Sequence, residues 1–366
     1  MISDQRHFLL YLQVQHQFVE MKKLIVFSLY AFAALLMAGC AKQVEDGPND
    51  TNKRIFDAWI GINHKNATRT DLGVYVLPEG NQQGTGAEVT EDGFAFLEYT
   101  ITDLSGNISS YTGAETAKQL GTYNETYYYG AKVQPTASGT ILAGLADVLI
   151  GMKVGGKKKF IIPNWLMSYQ THSTEEEYLA ISSAYASSIY DIHVVDFADN
   201  IKDWQIDTIG KYFAKNADIF NGMTSKDSLK THSGIYYKQL KAPVDTTAFP
   251  SDTTIYINYT GQLLNGQIFD TTDERLAKDN GLYNSARTYG PVKIKWGETF
   301  SDITMGSEAS SIISGFALTL WQMRAMEEGI GVFISDYGYS GSGSGSTIPG
   351  YSPLIFKIQI VAEPED

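Results

Sequence analysis

The sequence predicts an α+β fold built twice along one chain. Three observations carry this. Glycine (34) and tyrosine (23) are abundant among 366 residues, a bias toward sheet with many turns. Apolar residues make up 43% and charged residues 19%, enough for a sizeable core. And the same order of elements occurs in both halves, which suggests two copies of one domain.

The elements follow in order. Residues 1–20 fit no signal and read as an upstream extension. "MKKLIVFSLYAFAALLMAGC", Met21 to Cys40, sets two lysines before an apolar run and small residues. That is a secretory signal layout, short for a membrane span. Residues 21–39 are therefore expected to be cleaved, and 40–54, polar and turn-rich, to be a flexible tether. Residues 55–197 form the first domain. "FLEYTITDLSGNIS" (96–109) reads as two strands around a turn, "TILAGLADVLIGMKVGGKKKFIIP" (140–163) as a helix, a glycine turn and a strand, and "YDIHVVDF" (190–197) as a closing strand. Residues 198–232 are a linker, in which Ile201, Trp204, Ile209 and Phe213 at helical spacing predict a packed helix. Residues 233–366 repeat the order with "YINYTGQLLNGQIF" (256–269), "SIISGFALTLWQMRAMEEGIGVFIS" (311–335) and "PLIFKIQIV" (353–361).

Charge and side-chain chemistry exclude several functions. A net charge of −13 opposes nucleic-acid binding through a broad basic face. The single cysteine, Cys40, can make no intrachain disulfide. None of the six histidines pair at ligand spacing, so no metal is expected. A glycan-cleaving enzyme would need two carboxylates at a defined separation, and no such pair stands out.

Two resemblances go further. "LMAGC" resembles a bacterial lipobox, which implies lipidation, including palmitate, at Cys40 and an outer-membrane lipoprotein. "YINYTGQLLNGQIFDTT", "IISGF", "DYGYSG" and "IPGYSPLIF" together resemble the FKBP family, the macrolide-binding prolyl isomerases. The likeness covers Gly234 to Val361. It implies, for each domain, a twisted antiparallel β-sheet wrapped on one short helix, with no cofactor.

Carried over by position, the resemblance implies a pocket. Tyr259 and Phe269 form a wall, with Asp270 at its polar edge and Arg275 as partner to Asp270 or Tyr259. Val292 stands where the family has phenylalanine. Ile312 and Ile313 lie at the start of the helix, with the Ile313 N–H as a donor. Phe316 replaces the family's tryptophan as floor. Tyr339 donates its hydroxyl to a substrate carbonyl, and Ile348 and Phe356 close the rim. Proline-containing polypeptides are the implied substrates and a macrolide the implied inhibitor.

The first half keeps the frame and loses the pocket. Tyr99 is retained, but Ser109 and Ser110 replace Phe-Asp, Leu145 takes the floor position, and Met167 falls where the corner tyrosine is expected. That half is expected to be catalytically inactive. The second half also departs from the family: "EEGIG" (327–331) replaces a basic turn, and the run "SGSGSGS" (340–346) is expected to be mobile.

These residue types suit the chemistry. Rotating an X–Pro amide means losing resonance, a barrier of about 18–20 kcal/mol. Uncatalysed isomerisation takes tens of seconds or more. An apolar pocket with a few fixed donors favours the twisted amide, and no nucleophile is needed. Residue by residue a blander reading exists: Phe269, Phe316 and Phe356 could be plain core, and Asp270 a turn residue. The alternative for the whole chain is a non-catalytic lipoprotein that binds polypeptide or glycan.

Overall fold

A computed structural model describes residues 47–365; the residues before Cys40, Cys40 itself and the expected tether up to residue 46 lie outside them. From Pro48 onward the chain is one compact unit holding two separate antiparallel sheets.

The first domain opens with helix α1 (Asp50–Asn63), which buries Phe56 and Ile60. Asn49 fixes its start: buried, it donates to the carbonyls of Leu179 and Ile181 and accepts from Asn164. Asp50–Arg54, expected as tether, are therefore helical. The sheet runs β1 (Thr68–Arg69), β2 (Tyr75–Val76), β6 (Lys157–Ile162), β7 (Ser188–Ala198), β3 (Phe94–Asp103), β4 (Ile108–Tyr111), with β5 (Lys132–Pro135) sharing the β3 edge. Helix α2 (Ala114–Gln119) follows β4, and helix α3 (Ala143–Leu149) buries Leu145, Val148 and Leu149 in the core. The segment "TEEEYLAISSAYASS" (174–188) holds one short helix, α4 (Glu175–Leu179), fixed by a Thr174–Glu177 capping box.

Helix α5 (Ile201–Lys215) is the linker. Asn200 Oδ1 caps it by accepting from Lys202 and Asp203. Trp204 stacks on Phe96 of the first domain at 4.2 Å. Ile209 and Phe213 enter a buried cluster with Tyr236, Val332, Ile334 and Ile355 of the second. The apolar face read from the sequence thus serves both domains. A short helix, α6 (Ala217–Phe220), completes the connection.

The second sheet repeats the first: β13 (Ser310–Ser311), β12 (Thr304–Met305), β11 (Val292–Lys295), β9 (Thr254–Leu263), β15 (Leu354–Val361), β14 (Glu328–Phe333), β8 (Ile235–Lys241), with β10 (Ile268–Thr271) sharing the β9 edge. Helix α7 (Glu274–Asp279) follows β10. Helix α8 (Ser314–Gln322) lies in the concave face, with Phe316 and Leu320 buried. Two glycines permit the approach: a Cβ on Gly315 would meet the Phe333 ring at 2.4 Å, and one on Gly331 would meet Thr319 Oγ1 at 1.9 Å.

The register fixes which residues correspond. Tyr259 pairs with Ile358 as Tyr99 pairs with Ile192, and Asp270 pairs with Gly261 as Ser110 pairs with Ile101. The repeat also includes "YNETYYYG" (123–130) and "YNSARTYG" (283–290). In each, the first tyrosine stacks on the last, at 5.3 and 5.6 Å, and the last hydroxyl accepts from the asparagine N–H at 3.0 Å. One assignment shifts. The 3-10 turns Asn164–Leu166 and Ser335–Tyr337 are equivalent, so Ser168, not Met167, stands at the position of Tyr339.

Candidate active site

Alternation along β9 points Tyr259 and Gly261 into the concave face. Gly261 is required there: a Cβ would meet the Phe269 ring at 2.5 Å and the Phe356 ring at 2.8 Å. Four aromatics then close into a floor. Phe316 lies edge-on to Tyr259 at 5.4 Å and to Phe356 at 4.9 Å, and Phe269 edge-on to Phe356 at 5.5 Å. Such edge-to-face pairs add to the stabilisation from burial alone. Tyr259, Phe316, Ile348 and Phe356 are buried. Phe269 is half-buried at the edge of that floor, and Val292, Ile312, Ile313 and Tyr339, half-buried against the same core, form a rim over it.

Ile313 is the N-cap of α8, and its carbonyl accepts from Phe316 and Ala317. Among the described residues no backbone carbonyl accepts the Ile313 N–H. Orphan donors of this kind are what a helix start offers a ligand.

The polar edge departs from the expectation. Tyr259 donates to Asp270 Oδ2 at 2.6 Å. The guanidinium that pairs with Asp270 belongs to Arg287, which also donates to the Tyr259 hydroxyl at 3.4 Å. Arg275 is not in the site. It rides the outer face of α7, where it meets Asp279 at 3.7 Å and its side chain is 92% exposed. Helix α7 carries residue 275 outward, and the "YNSARTYG" turn returns the chain to the edge. The doubled Tyr-Asn…Tyr-Gly motif marked that segment as part of the frame, and it was the available signal for Arg287.

Burial, then the charge and hydrogen bond of Asp270, hold the Tyr259 hydroxyl well above the ordinary tyrosine range. Burial and the Asp270 charge also raise Tyr339. Both remain neutral donors at physiological pH.

The Gly-Ser run is a knit loop rather than a free one. Gly343 donates to Tyr339, Ser344 and Ile348 exchange backbone hydrogen bonds at 2.8 and 3.1 Å, and Tyr351 donates to Ser340. Its glycines allow backbone to approach backbone: a Cβ on Gly343 would lie 2.2 Å from the Ile348 carbonyl, and one on Gly350 2.1 Å from that of Gly341.

A cavity of about 850 Å³ lies on the outer face of β9 and β15, with Arg275, Glu328 and Lys357 in its lining beside Tyr259. Its open, charged lining does not suit a proline ring.

Residues 246–361 match the family described as FKBP-type peptidyl-prolyl cis-trans isomerase. Together with the aromatic floor, this defines the second domain as an FKBP-type peptidyl-prolyl isomerase domain, and the chain as an enzyme of that class. It is 28% identical over 221 residues to a probable FKBP-type peptidyl-prolyl cis-trans isomerase of Haemophilus influenzae, covering 60% of this chain and 70% of the relative. It is 28% identical over 125 residues to FK506-binding protein 1A of Aspergillus fumigatus, covering 34% of this chain and 90% of that protein. A solved peptidyl-prolyl isomerase from Pseudomonas syringae is 20% identical, with 43% of this chain and 92% of that one covered at a TM-score of 0.28.

Proposed function

We propose that the second domain isomerises X–Pro bonds of polypeptides in a bacterial cell envelope, with the chain held at the outer membrane by lipid on Cys40. The observation that carries the catalytic reading is the Tyr259–Asp270–Arg287 cluster at the edge of the Phe269–Phe316–Phe356 floor. The lipid reading rests on the "LMAGC" sequence.

The proline ring sits on the aromatic floor, where a planar, charge-separated amide loses the solvation that favours it. The Tyr339 hydroxyl donates to a substrate carbonyl outside the rotating amide, and the residue after proline offers its carbonyl to the Ile313 N–H. These donors are fixed before the reaction and favour the twisted geometry over either planar one. Asp270, pinned by Arg287 and Tyr259, presents carboxylate charge toward the carbonyl carbon, which becomes more electrophilic as resonance is lost. No proton is exchanged with solvent.

The test is isomerisation of a proline tetrapeptide by the purified chain, with FK506 as inhibitor. Acceleration that FK506 abolishes is expected; turnover no faster than buffer, with the fold shown intact, overturns the reading. For the anchor, Cys40→Ala should move the chain from the membrane to the soluble fraction. Fractionation unchanged by that substitution removes the lipid proposal.

A further inference from the structure

The first domain lacks the Phe-Asp pair, the aromatic floor and the corner tyrosine, yet a cavity of about 280 Å³ remains at the equivalent place. Leu97, Leu145 and Ile192 form its floor, and all three are buried. Ile101 occupies the position of Gly261, and its side chain compensates for the missing phenylalanine at Ser109. Leu142, the N-cap of α3, holds the position of Ile313. The volume lies at the small end of ligand pockets, about 300 Å³, and suits a single side chain.

Three tyrosines line this cavity: Tyr99, Tyr169 and Tyr190. Burial, and then the charges Tyr169 and Tyr99 would carry, push Tyr190 up to about 12, so it stays a neutral donor. Its partner in the structure is the Met167 thioether at 3.9 Å, a weak acceptor that a peptide carbonyl would displace. The only charged residue in the lining is Lys132, and no carboxylate is present. An apolar floor under hydroxyl donors matches a peptide: a side chain below and backbone carbonyls above.

The cavity also adjoins a second one that borders the catalytic domain. Lys132 and Val133 line it and line a second cavity of about 390 Å³ between the domains. The far wall of that second cavity includes Ile348 and the Gly-Ser run, and Ile348 belongs to the catalytic core. Tyr127 and Tyr128 stand between, with the Tyr128 N–H bonded to the Ser346 carbonyl at 2.8 Å.

We propose that the first domain is a non-catalytic binding site for an apolar side chain of an unfolded polypeptide, reached along the tyrosine-lined cavity from the catalytic rim. The proposal rests on the second domain acting on polypeptides. One chain would then be gripped by the first domain while its X–Pro bond turns in the second. Holding both ends of the segment raises the effective concentration of the reacting bond. Short peptides would gain nothing.

The test uses the full chain with Tyr169→Ala and, separately, Leu142→Glu. The probe is reduced, carboxymethylated lactalbumin, a permanently unfolded polypeptide, with binding read by fluorescence anisotropy and tetrapeptide isomerisation measured in parallel. Tyr169 is 51% exposed, so its truncation tests the site even where Leu142→Glu fails to fold. The expected result is a threefold or greater loss of lactalbumin affinity, with tetrapeptide kcat/KM within twofold of the parent. Unchanged affinity in folded Tyr169→Ala overturns the proposal, as does an equal loss in both assays. So does binding of an oligosaccharide in place of lactalbumin. A parent chain that binds lactalbumin through Tyr169 but turns over no tetrapeptide would defeat the isomerase reading and leave this site standing.

Discussion

Asp270 carries the polar edge of the site through two partners, and only one was visible from spacing. Counting five positions past Asp270 leads to Arg275; the structure supplies Arg287, seventeen positions on. Spacing failed because a helix intervenes, and a helix sets side-chain direction before it sets distance. The aromatics were legible because strand alternation and Gly261 leave them one face to occupy. Removing Arg287 frees the Asp270 carboxylate to rotate toward water. Since a hydrogen bond to a charged group is worth about 1.5–3 kcal/mol, partly offset here by exposure, Arg287→Ala should lower tetrapeptide kcat/KM roughly three- to tenfold. Arg275→Ala should leave it unchanged; equal effects from the two would restore the simpler assignment. Asp270→Ala, which strips a partner from both Tyr259 and Arg287, should cost more, roughly ten- to a hundredfold at about 1.4 kcal/mol per decade. Tyr339→Phe removes one neutral donor of about 1 kcal/mol, or roughly fivefold. The upward shifts of Tyr259 and Tyr339 set a pH expectation. Raising a phenol above its ordinary value of about 10 extends the range over which it donates. The rate should therefore be flat from about pH 6 to about pH 9, against that reference of about 10. A sigmoid profile in that window would show that another group titrates in the mechanism.

At the scale of elements, the main strands and the helices α3, α5 and α8 were readable from alternation, helical spacing and glycine turns, whereas α1, α2, α7 and the loops were not. The Gly-Ser run has the composition of a linker, and composition gives no access to the backbone contacts that knit it. Its glycines divide into two kinds. Gly343 has φ +66° and no room for a Cβ; Gly345 has φ +55° and nothing within 4 Å of one. Both substitutions to alanine incur left-handed strain, on the order of 1–3 kcal/mol, but only Gly343→Ala must also push aside the Ile348 carbonyl. Gly343→Ala should therefore displace Ile348 and reduce tetrapeptide turnover, while Gly345→Ala lowers stability alone. Amide hydrogen exchange across 340–350 gives the matching readout: Gly343→Ala should speed exchange at Ser344 and Ile348. Equal effects on turnover from both substitutions would mean that the loop is as loose as its composition suggests. The turn "EEGIG" teaches the same lesson. Glu327 is buried, accepting from Tyr237 at 2.5 Å, Gln239 at 2.7 Å and the Arg324 N–H at 2.7 Å. An acidic residue that reads as a departure from the family is a satisfied core group, which no property of the local sequence indicated.

For the whole molecule, repetition in the sequence announced two domains but said nothing about how one bears on the other, because each copy satisfies its own register. The coupling lies in α5 and a few side chains. Gln205, buried on α5, donates to Ser335 Oγ at 3.0 Å and accepts from the Ser335 N–H at 2.7 Å, so the linker holds the turn that delivers Tyr339. Trp204, one residue earlier, is stacked on the first domain. Phe94 meets Tyr351 edge-on at 5.4 Å, and Gln267 donates to the Thr126 carbonyl at 2.9 Å. With the helix shared between two cores, the domains should unfold in one calorimetric transition. Phe213→Ala removes a fully buried ring from the second-domain side of α5, and such truncations cost about 3–5 kcal/mol. That loss falls on the helix's contact with the second domain and leaves the Trp204 contact in place. The expected thermogram has two transitions, the lower one accompanied by loss of tetrapeptide turnover. A single transition at lower temperature would mean that the direct contacts around Tyr351 and Gln267 suffice for coupling without the helix. Two transitions in the parent chain would mean that the domains share a linker but not a folding unit.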